Sequence, residues 1–314
     1  MNEHELARAR CLGYGLLADL LARGVTDETR AAASASPHLA GAIEGRDDEA
    51  LAVELERATG WAAPPFEGAY LAADATIGGA STDALWSLFS SAGYRPDLRR
   101  ADAEHLATTL RCLAFLSGAE ADAVRDAHGG AIERTRALSR RLLDEHALRW
   151  VPVWAAGVRR VGLAFPAALA TAVEVLLLAH RSTLPDAVPG FALPPLELDP
   201  ADPETDLRAV ATALVTPARS GLVVTRADLE RLGRGVSVPR GFGERAQVTL
   251  NLLRSAARFE VFETLLEHLV GELEAQRAGL EDPRYAQIRS LVEPWRRRAA
   301  EMQGVLRAMR AATE

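Results

Sequence analysis

The sequence predicts an all-α protein, and two observations carry that prediction. Apolar residues recur at spacings of three and four along most of the chain, as a helix with one buried face requires. No stretch alternates convincingly with a period of two; Leu222-Val223-Val224-Thr225 is the best strand candidate and is very short.

Each element follows from its own pattern. Residues 4–22 place Leu12, Leu16, Leu17, Leu20 and Leu21 on one stripe of an amphipathic helix. Residues 31–45 are rich in small side chains and broken by Pro37, so a short helix with loose ends is expected. Pro64-Pro65 forbids helical continuation and makes 61–65 a loop. Ser81-Thr82-Asp83 offers a cap to a helix bearing Leu85, Trp86, Leu88 and Phe89, which stops near Gly93. Asp102 or Ala103 opens the next, with Leu106, Leu110, Leu113 and Leu116 inside. Another runs from about Ile132 to Leu148, and an apolar one from Phe165 to His180. The most membrane-like stretch is 161–178; Pro166 and Glu174 interrupt it, so it reads as a core helix.

Six prolines between Pro185 and Pro203 then make a stiff, extended linker. Beyond it, Thr225-Arg226-Ala227-Asp228 is a capping box with Asp in place of Glu. Residues 242–277 form one long helix or two, broken around Ala257-Arg258. Tyr285, Ile288, Val292, Trp295, Ala299, Met302, Leu306 and Met309 form a seam that wants a partner helix, most simply the one bearing Phe262, Leu265, Leu266, Leu269 and Leu273. Pro294 lies within that seam, so a kink or break is expected there. The expected organisation is a helical domain over 1–184, a proline-rich linker over 185–204, and a C-terminal helical region over 205–314 ending in a hairpin.

Composition narrows the chemistry. Of 314 residues 48% are hydrophobic and 25% charged, and lysine is absent: all 36 basic side chains are arginine. A Schiff-base lysine and a G-x-x-x-x-G-K phosphate loop are therefore excluded. A net charge of −7 argues against a nucleic-acid partner. Cys11 and Cys112 are far apart and suggest neither a disulfide framework nor a zinc ribbon. The histidines lack metal-ligand spacing, and adjacent Glu-His pairs on a helix point to different faces. Gly241-Phe242-Gly243 fits a glycine-rich fingerprint but follows Pro239 with no strand before it, so it reads as a helix start. Arg296-Arg297-Arg298 reads as a solvated face. The polar N-terminus suits a cytoplasmic protein. No catalytic set, metal or cofactor is expected.

Two clusters stand out by their order. The first runs from Pro64-Pro65-Phe66 through Tyr70, Leu85-Trp86-Ser87-Leu88-Phe89 and Gly93-Tyr94 to Glu104-His105. The second is Asp144-Glu145-His146 followed by Trp150. Together they resemble the TorD/DmsD/NarJ family of redox-enzyme maturation chaperones. That family carries an aromatic-bearing Pro-Pro loop, a helix ending in Gly, an acid-His pair opening the next helix and a later E-H-x-x-x-W-type ending. Its usual Asp-His is Glu104-His105 here. The resemblance spans about residues 5–184, and 205–314 lie beyond it.

The resemblance implies a TorD-like helical bundle that binds the twin-arginine signal peptide or the apoprotein of a molybdenum-cofactor oxidoreductase before export. A signal peptide has a basic start and an apolar stretch, which suit an apolar groove with carboxylates at one end. On this reading Phe66, Tyr70, Trp86, Phe89, Tyr94, Glu104, His105, His146 and Trp150 contact the client. Phe66 and Tyr70 lie on an exposed loop, and Glu104 meets the peptide's arginines. Trp86, Phe89 and Trp150, at helical spacing, are read first as core residues and only second as contacts. Substituting Glu104 and His105 together is expected to abolish client binding without unfolding the protein. A helical nucleotide- or small-ligand-binding protein and an assembly scaffold are the alternatives, and monomer and dimer both remain open.

Overall fold

The computed structural model describes residues 1–96, 100–185, 187–199, 205–239 and 241–312. Its architecture is all-α, with no strand among the described residues. The chain divides into two compact units: Met1–Gly68 with Thr76–Pro189, and Ala69–Ala75 with Gly190–Glu314.

The first unit begins with α1 (Glu3–Arg23), α2 (Asp27–Ser34), α3 (Ala40–Ile43) and α4 (Asp48–Leu55), which runs into a π-helical turn over Glu56–Ala62. After a single turn, α5 (Gly68–Leu71), whose residues from Ala69 onward belong to the second unit, the first unit resumes with α6 (Ala80–Ala92), a 3-10 turn over Arg100–Glu104, α7 (Leu106–Arg125) and α8 (Gly129–Arg141). A second π-helical turn, Leu142–Ala147, joins α8 to α9 (Leu148–Arg160), and α10 (Ala164–Ser182) completes the series. The helix expected to end near Leu148 therefore continues through Pro152.

Helix α1 packs between α7 and α10 and buries Ala7, Tyr14, Leu17, Ala18 and Leu21. Small residues permit the approach: a Cβ at Gly118 would stand 3.4 Å from the Cys11 sulfur, and one at Gly13 3.2 Å from Leu176. Leu12, expected on the buried stripe, is instead 66% exposed, because its neighbours on either side take the two packing faces. Buried charge is paired: Glu120 accepts from Arg10 and Arg136, each at 2.7 Å, and Arg181 donates to Asp144 at 2.7 Å. Tyr14 and His180 share a 3.0 Å hydrogen bond. Burial, reinforced by Arg10 and Arg136, pushes His180 down to about 3, so it is neutral at ordinary pH. Helix α10 is long and apolar enough to cross a membrane, but 61% of that window is buried within the protein.

The second unit is built from α11 (Leu207–Val215) on α14 (Arg245–Arg258) and α15 (Phe262–Gly279) on α16 (Arg289–Ala311). Shorter α12 (Pro217–Ser220) lies against α16, and α13 (Arg226–Gly235) against α14 and α15. Tyr285 and Ile288 sit on a 3-10 turn before α16; Val292 and Trp295 are buried, and Ala299, Met302 and Leu306 join the unit's core. Pro294 lies inside α16 without ending it, since the break falls earlier, at Pro283–Ile288. Gly221 is required where it stands: at φ +76° its Cβ would meet the Ala299 nitrogen at 2.4 Å.

Leu222–Thr225 forms no strand, in keeping with the want of any convincing period-two stretch; the Gln276 side chain accepts the Val223 N–H at 3.2 Å and serves its backbone instead. One expectation changes here. Arg298 is not on a solvated face but is buried, donating to the carbonyls of Ala218 and Pro194. Residues 187–199 have no regular structure, yet Leu193 is buried, and Leu196 and Leu198 pack on the second unit's core. The rest of the proline-rich stretch, residues 186 and 200–204, lies outside the described residues.

Candidate functional site

The Pro-Pro loop is fixed at both sides by buried hydrogen bonds within the first unit. Trp154 Nε1 donates to the Ala63 carbonyl at 3.0 Å. Leu106 N donates to Pro65 O at 2.8 Å and Glu67 N to Glu104 O at 3.2 Å, so Phe66 and His105 pair as an isolated antiparallel bridge. The two rings meet edge to face, centroids 4.8 Å apart. His105 also caps α7, its Nδ1 accepting from Ala107 N at 3.1 Å.

The carboxylates face inward. Glu104 is 1% exposed and accepts from Gly68 N at 2.9 Å, Gly78 N at 3.1 Å and the Thr82 hydroxyl at 2.5 Å. It thereby ties the Pro-Pro loop, the turn before α6 and the start of α7 to one point. This corrects the role expected for Glu104: its oxygens are spent on the protein's own donors and are not offered to a peptide's arginines. Thr82, expected in a helix cap, lies inside α6, whose N-cap is Gly79. Glu67, which the sequence did not single out, is equally buried and holds His146 Nδ1 at 3.0 and 3.1 Å.

Other expected contacts are also interior. Phe89 and Trp150 are fully buried, and His146 is buried against Glu67. Tyr70 is not on an exposed loop; it is 1% exposed, belongs with the second unit and lies beside Arg245. Burial raises its phenol well above the ordinary range, although Arg245 opposes the rise. In the same segment Ala73 O accepts from Arg219 at 2.7 Å.

What reaches solvent is aromatic. Phe66, Trp86, Tyr94 and His105 are half-buried, and Phe115 is 44% exposed. Trp86, Phe89, Tyr94 and Phe115 form a string with ring centroids 6.1, 5.5 and 5.7 Å apart. Phe115 was missed, although its signal was present: it falls between Leu113 and Leu116, which face inward, and so must face outward on α7. The surface carries little charge. Burial pushes His105 down to about 4; Arg111 adds to the effect and Asp102 opposes it, leaving a neutral ring at physiological pH. Burial also raises the Tyr94 phenol, and the Cys112 thiol is pushed up to about 12. Arg111 is engaged by Asp19 at 3.1 Å. Such a surface suits apolar and aromatic contact. Among the described residues no group of three or more His, Cys, Asp or Glu is placed to hold a metal ion.

Residues 28–156 match the family model described as the nitrate reductase delta subunit. The match covers less than half of the chain, yet it contains every residue assigned above to client contact. No curated protein and no solved structure matches the chain.

Proposed function

We propose that the protein is a maturation chaperone for a molybdenum-cofactor oxidoreductase, holding its signal peptide or its apo-subunit on the half-exposed aromatic face of the first unit. The observation that carries this reading is the match over 28–156 to a family whose members are molybdoenzyme maturation chaperones. The aromatic string supports it, because rigid aromatic side chains supply contact area at low conformational cost. Phe66, Trp86, Tyr94, His105 and Phe115 receive the client's apolar stretch. The buried residues Phe89, Glu104, His146 and Trp150 position that face from within the first unit.

The test is affinity purification of the full chain from its native cytoplasm, with the partners identified by mass. A molybdenum-oxidoreductase catalytic subunit, recovered without its cofactor, is the expected companion. Recovery of the chain alone, or only with the mature, cofactor-loaded enzyme, would sink the proposal.

A further inference from the structure

Outside the aromatic face, the second unit holds a pocket whose lining is one-sided in its chemistry. Residues 231–258 contain six arginines against one glutamate, a local excess of five positive charges in a chain of net charge −7. On α14, Asn251, Arg254, Ser255 and Arg258 follow at spacings of three, one and three and so share one face, while Leu252, Leu253 and Ala256 are buried in the core. With Pro239 and Gly241 they line a pocket of about 290 Å³. A neighbouring pocket of about 440 Å³, lined by Gly233, Arg234, Ser237, Val238 and Pro239, shares Pro239 with it.

The polar groups of the first pocket are almost all donors. Asn251 spends its carbonyl on Gln247 Nε2 at 2.8 Å, which leaves its NH2 as the free group. That nitrogen faces Gly241, where an added Cβ would stand 2.7 Å away and where φ is +69°. Glycine is thus required for the loop to close over the asparagine. Ser255 adds a hydroxyl, and among the described residues no carboxylate lines the pocket. Arg254 and Arg258 are exposed and make no hydrogen bond or ion pair with another described residue. Elsewhere in the unit, Arg231, Arg296 and Arg310 pair with Glu272, Glu281 and Glu267. Two like charges one turn apart repel each other, so an anion held between them relieves a cost already present in the free protein.

We propose that this pocket binds a small phosphate-bearing anion. Two arginines, an asparagine and a serine line one volume, and a tetrahedral phosphate offers acceptor oxygens in enough directions to engage several of their donors together. The volume is at the lower end of small-ligand pockets, about 300–1,000 Å³, and suits a phosphate or diphosphate head better than a length of polypeptide.

Pyrophosphate is the probe, titrated calorimetrically into the full chain at low salt. The variant carries Arg254→Gln and Arg258→Gln; a control carries Arg208→Gln and Arg307→Gln, which alter exposed arginines elsewhere in the same unit. All four positions are exposed, and matching far-UV circular dichroism and melting temperature check the folds. Wild type and control should bind saturably, one pyrophosphate per chain, with affinity at least about tenfold lower in the pocket variant, a difference of about 1.4 kcal/mol. Pyrophosphate should also raise the wild-type melting temperature relative to chloride at equal ionic strength. Unsaturable binding, or equal affinity in the pocket variant, overturns the proposal. So does a glutamate-rich peptide that binds through Arg254 and Arg258 where pyrophosphate does not, since that outcome identifies an acidic protein partner. The chaperone reading is untouched by any of these results.

Discussion

Glu104 and His105 are neighbours in sequence at the start of one helix, and the two regions they belong to differ in almost every respect. Glu104 is the centre of a dry staple, 1% exposed, with three donors from the Pro-Pro loop, the turn before α6 and α6 itself. His105 is half-buried and meets Phe66 edge to face. One residue locks the scaffold; the next belongs to the surface that the scaffold displays. A functional motif is thus not a functional surface throughout, because adjacent residues at a helix start point in different directions.

Breaking the staple should have the largest effect. Glu104→Ala leaves three donors without their acceptor, each worth about 1–3 kcal/mol when buried and unpaired, so a loss of roughly 3–5 kcal/mol is expected. Urea unfolding followed by circular dichroism measures it, and an unchanged midpoint would show the staple to be dispensable. The Glu104 and His105 double substitution therefore cannot isolate binding from folding. Gly68→Ala attacks the same point from the other side: its Cβ would lie 2.4 Å from Thr76 O and 2.5 Å from Glu104 Oε2. About 1–3 kcal/mol should be lost in the same assay.

Acid sharpens the comparison between buried and half-buried histidine. His180, held down to about 3, takes up its proton in the unfolded chain near 6.5 but not in the folded one. The unfolded state then binds more protons throughout that window, so stability falls as pH drops from about 6.5 toward 3. By pH 5 the loss from His180 should be on the order of 2 kcal/mol. His105, half-buried and held at about 4, contributes over the narrower span down to that value, and less, because solvent reaches it. Denaturant midpoints measured from pH 7 down to pH 3 should fall less in His180→Asn than in His105→Asn, the two parting below about pH 4.

The helices were legible because their partners are a few residues away. The heptad-like seam from Tyr285 to Leu306, the core of α10 and the break near Arg258 follow from periodicity and local breakers. The aromatic cluster was legible as a set of residues, and Phe115 was readable from its position between two inward leucines. The inward turn of Glu104 was not, since it depends on the backbone N–H groups of Gly68 and Gly78, whose orientation no side-chain pattern records. Nor was the burial of Arg298, which is stabilised by carbonyls 80 and 104 positions away. The burial of Tyr70 was not legible either, since its segment, Ala69–Ala75, groups with residues far along the chain in the second unit.

The smallest effect on stability belongs to Phe115, and it is the most informative about function. At 44% exposure the ring retains one aromatic contact, to Tyr94 at 5.7 Å, so Phe115→Ala should cost about 1 kcal/mol or less. If the aromatic face receives the client, the same substitution should lower recovery of the co-purified oxidoreductase subunit several-fold while the melting temperature hardly moves. Glu104→Ala should show the reverse order, with stability lost first and binding lost only as a consequence. Should Phe115→Ala retain full client recovery while Leu12→Ala, on the exposed side of α1, loses it, the client would be seated on another face. The aromatic string would then be scaffold as much as Glu104 is, because a ring that binds a partner must cost affinity when removed, whatever it costs the fold.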